Sequence, residues 1–208
     1  MNTPLDQHAD NRTGTVRAAR IFSNVASPPV MFALVGLAFS MHESAFWPGL
    51  GWAAVYGFFV SLAPILFVLY LLKTGHISEL HMSDTRERHL PYLSAMLFAA
   101  AAFVIVTLFK GPELLRCLTL FNMIELAALG IINIFWLISI HTTGITATLI
   151  LVGLVFGWTA ALILVLPFLV AICWVRLYLK RHTPAQVTAG LALGVLSVWS
   201  MTLTGCFL

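Results

Sequence analysis

Six apolar stretches, all long enough to cross a bilayer, follow one another along the chain at roughly 28–47, 51–73, 91–109, 115–138, 142–174 and 187–207. A backbone in hydrocarbon must satisfy every N–H and C=O internally, which leaves helices as the solution for runs of this kind. Composition agrees. Of the 208 residues 60% are hydrophobic and 9% charged, against about 25% charged in soluble domains. The expected fold class is all-α, a polytopic transmembrane helical bundle with six to seven membrane-spanning helices. Residues 1–20 form a polar, basic N-terminal segment carrying Arg12, Arg17 and Arg20, and 21–208 read as a single transmembrane domain without linkers or repeats. No small-residue cleavage position follows a short apolar core, so the first helix is expected to be retained.

The 142–174 stretch decides the topology. As one helix it would be about 50 Å long, well beyond a hydrocarbon core of about 30 Å. As two passes turning near Gly157-Trp158, each is short, but mismatch costs only fractions of a kcal/mol per Å. Two passes give seven crossings and put His141 and His182 on the same side. Arg12, Arg17, Arg20, Lys73, Arg86, Arg88, Arg176, Lys180 and Arg181 then lie on the N-terminal side, with Lys110 and Arg116 opposite. The positive-inside rule places the N-terminus in the cytoplasm of an integral, multi-pass protein, in the cell membrane if the source is prokaryotic.

The net charge of +3 comes from a few basic loops and supplies no long basic tract, which argues against nucleic acid as a partner. Cys117, Cys173 and Cys206 are far apart with no C-x-x-C spacing and read as buried small hydrophobes.

Three polar clusters share one face in this topology: KTGHISELHMSDTRERHLP at 73–91, SIHTTG at 139–144 and RLYLKRHTPAQ at 176–186. Charged and imidazole groups at the edge of hydrocarbon are costly unless paired or used. Arginine forks match phosphate oxygens and stabilise a phosphoryl transition state. Two histidines on one face can divide phosphate-ester cleavage, one attacking phosphorus and the other protonating the leaving alkoxide. Thr183-Pro184 reads as an N-cap followed by proline at the first helical position, which would aim a helix N-terminus at an anion beside His182.

These residues resemble the signatures of the type 2 phosphatidic acid phosphatase superfamily of membrane lipid-phosphate phosphatases: K-x6-R-P, P-S-G-H and S-R-x5-H-x3-D. The third is matched by Arg176, His182 and position 186, with Gln186 in place of aspartate and Val175 in place of serine. The second is matched by Ser139 and His141, with Ile138 and Ile140 in place of proline and glycine. In the first, Arg88 takes the arginine position and His81 the lysine position, and Pro91 is displaced. The signatures span about half of the chain. The resemblance implies His182 as the nucleophile, His141 as the acid for the leaving group, and Gln186 as the group that orients His182. It implies Arg176 and Arg88 on phosphate oxygens, with Arg86, His81 and Ser139 assisting. The implied substrate is a lipid or prenyl phosphate drawn from the surrounding membrane lipids, cleaved without metal or cofactor. A glutamine in the aspartate position supplies no negative charge to an imidazolium, which predicts reduced activity or a shifted pH profile.

Other readings stand beside this one. His76, Glu79, His81, Asp84, Glu87 and His89 could ligate a metal, but their spacing fits no established pattern. Glu125, with Asn122 and Asn133, is an intramembrane acid that suits either interhelical hydrogen bonding or solute handling. A non-catalytic transporter or lipid-binding protein, or a phosphotransferase on the same scaffold, would use the same residues differently. None of these features encodes an oligomeric state.

Overall fold

The computed structural model describes residues 4–80, 82 and 84–207. Among them the secondary structure is helical, with no strand. Four helical segments are long and apolar enough to cross a membrane: Phe46–Lys73, Arg86–Leu108, Glu113–Phe135 and Pro184–Thr202. Two bent pairs bring the number to six if each counts as one span. These are α1 (Gly14–Val25) with α2 (Pro28–Glu43), bent by 42°, and α8 (Trp158–Leu164) with α9 (Leu166–Tyr178), bent by 41°. Between them lies α7 (Ile140–Phe156), a shorter apolar helix of 17 residues. The fold resolves into two compact units: Met1–Met31 with Leu137–Val198, and Phe32–Trp136 with Trp199–Leu208.

In the first unit the 142–174 stretch breaks in two. Gly157 ends α7 with φ 92° and ψ 151°, a region open to glycine and little else. Trp158 then folds its ring back over Gly153, where a Cβ would stand 2.7 Å from the ring. Pro167 at the start of α9 sets the second break, because it has no N–H and disfavours helix in the residue before it. The chain reverses, so that α7 packs against both α8 and α9. Ile145, Val165 and Ile172 close the core with Ala26, and Ala19 packs on Val175 and Leu179. Gly157→Ala is expected to destabilise the unit by about 1–3 kcal/mol, because alanine disfavours that backbone region; thermal unfolding in detergent measures it.

The first turns of α10 (Pro184–Thr202) lie against the start of α7. A Cβ on Gly190 would overlap the Thr142 hydroxyl and stand 2.8 Å from the Ser139 carbonyl oxygen; one on Gly194 would stand 2.6 Å from the Thr143 carbonyl oxygen. This G-x-x-x-G pair lets the two backbones approach closely.

In the second unit, α3 (Phe46–Gly57) runs through a π-helical turn, Phe58–Leu62, into α4 (Ala63–Lys73). The turn has a cause in Pro64, which cannot donate to the Val60 carbonyl and whose ring would crowd an α-helical turn. Helix α5 (His89–Leu108) returns antiparallel along α6 (Glu113–Phe135) after a tight turn with Lys110 at φ 53°. A disulfide joins Cys117 to Cys206, which corrects the reading of these two residues as simple buried hydrophobes. Only the tertiary fold brings residues separated by 89 positions to a Cα–Cα distance of 5.7 Å. Cys173 is free.

Candidate functional site

The 176–186 hinge is shaped by two helix ends. At the C-terminus of α9, Lys180 adopts φ 54°, and the Arg176 carbonyl accepts the N–H groups of Arg181 (3.1 Å) and His182 (3.3 Å). This left-handed closure curls the chain back over the last turn of the helix. At the N-terminus of α10, the Gln186 N–H donates to the Thr183 hydroxyl (3.3 Å), while the Gln186 side-chain oxygen accepts the Thr183 N–H (3.0 Å). That is a reciprocal capping box, with Pro184 at the first helical position as the sequence predicts. Capping occupies the Gln186 N–H, so the helix end offers an incoming anion less than the sequence suggests.

The curl brings the two best-matched residues together. Arg176 donates from NH2 to His182 Nε2 (3.1 Å), and His182 Nδ1 lies 3.3 Å from the Gln186 side-chain oxygen. A guanidinium only donates, so Nε2 is an acceptor. Nδ1 therefore carries the proton and donates to Gln186. His182 thus has the tautomer in which Nε2 holds an in-plane lone pair, the one a nucleophilic imidazole requires. Arg176 is 2% exposed, Gln186 1% and His182 6%; the group is nearly closed to solvent.

Helix α1 supplies a residue that sequence reading missed. The Ser23 hydroxyl accepts from Arg176 NH1 (3.1 Å), and the Ser23 carbonyl accepts from His141 Nε2 (3.2 Å). His141 and the Arg176–His182 pair therefore meet at a single serine, one at its carbonyl and the other at its hydroxyl. Ser139 lies in the same group: its N–H donates to the Gln186 carbonyl (3.4 Å), and its buried hydroxyl has no partner among the described residues. Val175 is buried against Ala19 and Leu179, and the hydroxyl next to Arg176 is that of Ser23. The signal for Ser23 was the spacing of small residues, Ala19 and Ser23 on the buried face of α1 and Ala26 just past its end.

The remaining site residues fall elsewhere. His81 lies outside the described residues. Arg88 is buried in the second unit, where its Nε donates to the Met82 carbonyl (2.8 Å). Arg86 is exposed, and its N–H donates to Asp84 (2.9 Å). Among the described residues no three His, Cys, Asp or Glu side chains are grouped to hold a metal ion.

Asp6 is a second residue missed from sequence. It is fully buried, and its carboxylate accepts from Arg181 Nε (2.8 Å) and Arg20 NH1 (2.9 Å). Its carbonyl oxygen also accepts from Arg12 and Arg20. The N-terminal segment is therefore docked against the residue that precedes His182.

No protein-family model, curated protein or solved structure matches this chain.

Proposed function

We propose that the protein is a membrane phosphatase that hydrolyses a lipid or isoprenoid phosphate or diphosphate through a phosphohistidine on His182. One observation carries the reading: Ser23 joins His141 to Arg176, and Arg176 caps the lone pair of a correctly protonated His182. In the first step a phosphate oxygen takes over Arg176 and uncovers Nε2. Nε2 attacks phosphorus, the bond from phosphorus to the leaving alkoxide breaks, and protonated His141 gives the alkoxide its proton. His141 Nε2–H stays with the Ser23 carbonyl, so Nδ1 is the nitrogen that exchanges the proton. Water then attacks the phosphohistidine, His141 takes its proton, and phosphate leaves with Nε2 restored. The guanidinium of Arg176 and the hydroxyls of Ser23 and Ser139 are the donors available to the transferring group.

The membrane reading adds six to seven crossings with the N-terminus in the cytoplasm. The disulfide supports this orientation independently of the charge tally. Cys117 begins α6 and Cys206 follows α10, each one helix along the chain from a site segment. Disulfides persist in oxidising compartments, so the Cys117–Cys206 pair supports a reading with those helix ends outside the cytoplasm and the arginine-rich ends within.

The test is phosphate release by the purified protein from prenyl and diacylglycerol phosphates in the presence of a chelator. His141→Ala is expected to lower the rate by about 10²–10⁴-fold, the usual contribution of a general acid. Release at the wild-type rate in that variant would remove His141 from the mechanism. Transfer of phosphate to an added alcohol would make the protein a phosphotransferase on the same residues.

A further inference from the structure

The second unit holds a polar cluster that phosphate chemistry leaves unused. Glu125 lies near the middle of α6, 2% exposed, and its Oε1 is buried with no hydrogen-bond partner among the described residues. Asn122, one turn away, has committed its amide protons to the Tyr56 hydroxyl (2.8 Å) and the Leu118 carbonyl (2.7 Å). Among the described residues the titratable groups in electrostatic reach of Glu125 are Tyr56 from α3 and Tyr92 from α5, and Tyr92 is in turn hydrogen-bonded to Arg88. Further along α6, Asn133 donates to the Thr85 carbonyl (3.0 Å), and its buried Oδ1 has no partner among the described residues. Buried polar groups thus occur both near Thr85, at Asn133, and at Glu125 in the middle of a helix long enough to span a membrane.

A buried carboxylate oxygen without a donor is among the most costly groups a protein can place in hydrocarbon. Such oxygens persist when something small and positive visits them. The Asn122 amide and the Tyr56 hydroxyl beside it carry oxygens of the kind that suit a small monovalent ion. We propose that Glu125 is the binding site for one small monovalent cation, a proton or an alkali ion, exchanged past Tyr92 with the end of the unit that carries Arg88. Arg88 makes the site reversible: its fixed charge, hydrogen-bonded to Tyr92, opposes the bound cation. The π-helical turn that starts two residues after Tyr56 fits this role, since such turns recur at functional sites and helix irregularities free backbone carbonyls for ions.

The experiment uses the full chain in detergent or proteoliposomes, with two readouts on the same preparation. Thermal unfolding is followed as NaCl or LiCl replaces choline chloride at constant ionic strength. Infrared difference spectra follow a protonated-carboxyl band as bulk pH is changed. An alkali site raises the melting temperature with Na⁺ or Li⁺; a proton site gives a reversible carboxyl band without an alkali response. Glu125→Gln is expected to abolish whichever response the wild type shows, and Arg88→Gln to move it to a few-fold lower cation concentration. If Glu125→Gln does not fold, Glu125→Asp keeps the carboxyl one methylene back and is expected to weaken the response. A wild type with neither response, or a Glu125→Gln variant that keeps it, overturns the proposal. These readouts are independent of phosphate release, so failure here leaves the reading of His182 untouched.

Discussion

His182→Ala is expected to abolish phosphate release, with a loss on the order of 10⁴–10⁶-fold, as for removal of a covalent nucleophile. The size follows from the mechanism. Without Nε2 no phosphoenzyme forms, and Arg176 with the serine hydroxyls retains only the ability to bind phosphate. An acid-labile phosphoryl label on the wild-type protein, missing from the variant, is the direct readout. Because Arg176 and Gln186 both bond to His182, a structural role must be separated from a chemical one. Gln186→Asp does so. It keeps an acceptor near Nδ1 and adds the negative charge that stabilises an imidazolium, so turnover is expected to rise and the pH profile to move. If His182→Ala releases phosphate as fast as wild type, the histidine is no nucleophile. If Gln186→Asp changes stability but neither rate nor pH profile, Gln186 is only a helix cap.

The largest loss of stability is expected from Asp6→Ala, about 3–5 kcal/mol, the cost of removing one partner from a buried ion pair. The aspartate accepts from two arginines while its own surface is fully covered, so alanine takes their carboxylate from Arg181 and Arg20 together. Chemical denaturation measures the cost, and limited proteolysis between Asp6 and Arg20 reports whether the segment has come away. Arg20→Ala is expected to cost less, because Arg20 remains 17% exposed and Arg181 keeps the carboxylate. Equal losses in the two variants would show that Arg181 alone does not hold the carboxylate in place.

The helices were legible where hydrophobicity did the work, since long apolar runs can only be helical in a bilayer. The reversal at Gly157 was legible as one of two possibilities, the other being one straight helix over 142–174 that would overrun the membrane. Thr183 through Gln186 could also be read, as the T-x-x-Q pattern of a capping box, though the same glutamine oxygen serving His182 could not. The first helix was opaque. Arg17 and Arg20 make α1 look like a solvated lead-in, and its buried stripe of small residues gives almost no hydropathy signal. Asp6 was hidden for a similar reason, because an acid in a short polar segment carries no pattern that names its partners. The Cys117–Cys206 pair could not be inferred because cysteine spacing does not encode long-range pairing. Periodicity in α3 and α4 was no guide to orientation, as nearly every position there is apolar.

That last point gives the π-helical turn at Phe58–Leu62 a consequence of its own. A π turn takes up about one residue more than an α turn, and each residue of an α-helix advances the chain by about 100°. The turn therefore sets the rotational phase of Ala63–Lys73 against the segment that carries Tyr56. The same residues wound as an α-helix throughout would form helices of nearly the same length, yet turn Leu71, now buried, by about 100° to a different side. Composition and hydropathy are identical in the two windings. In this stretch the pitch of one turn, more than residue character, determines which side chains point inward.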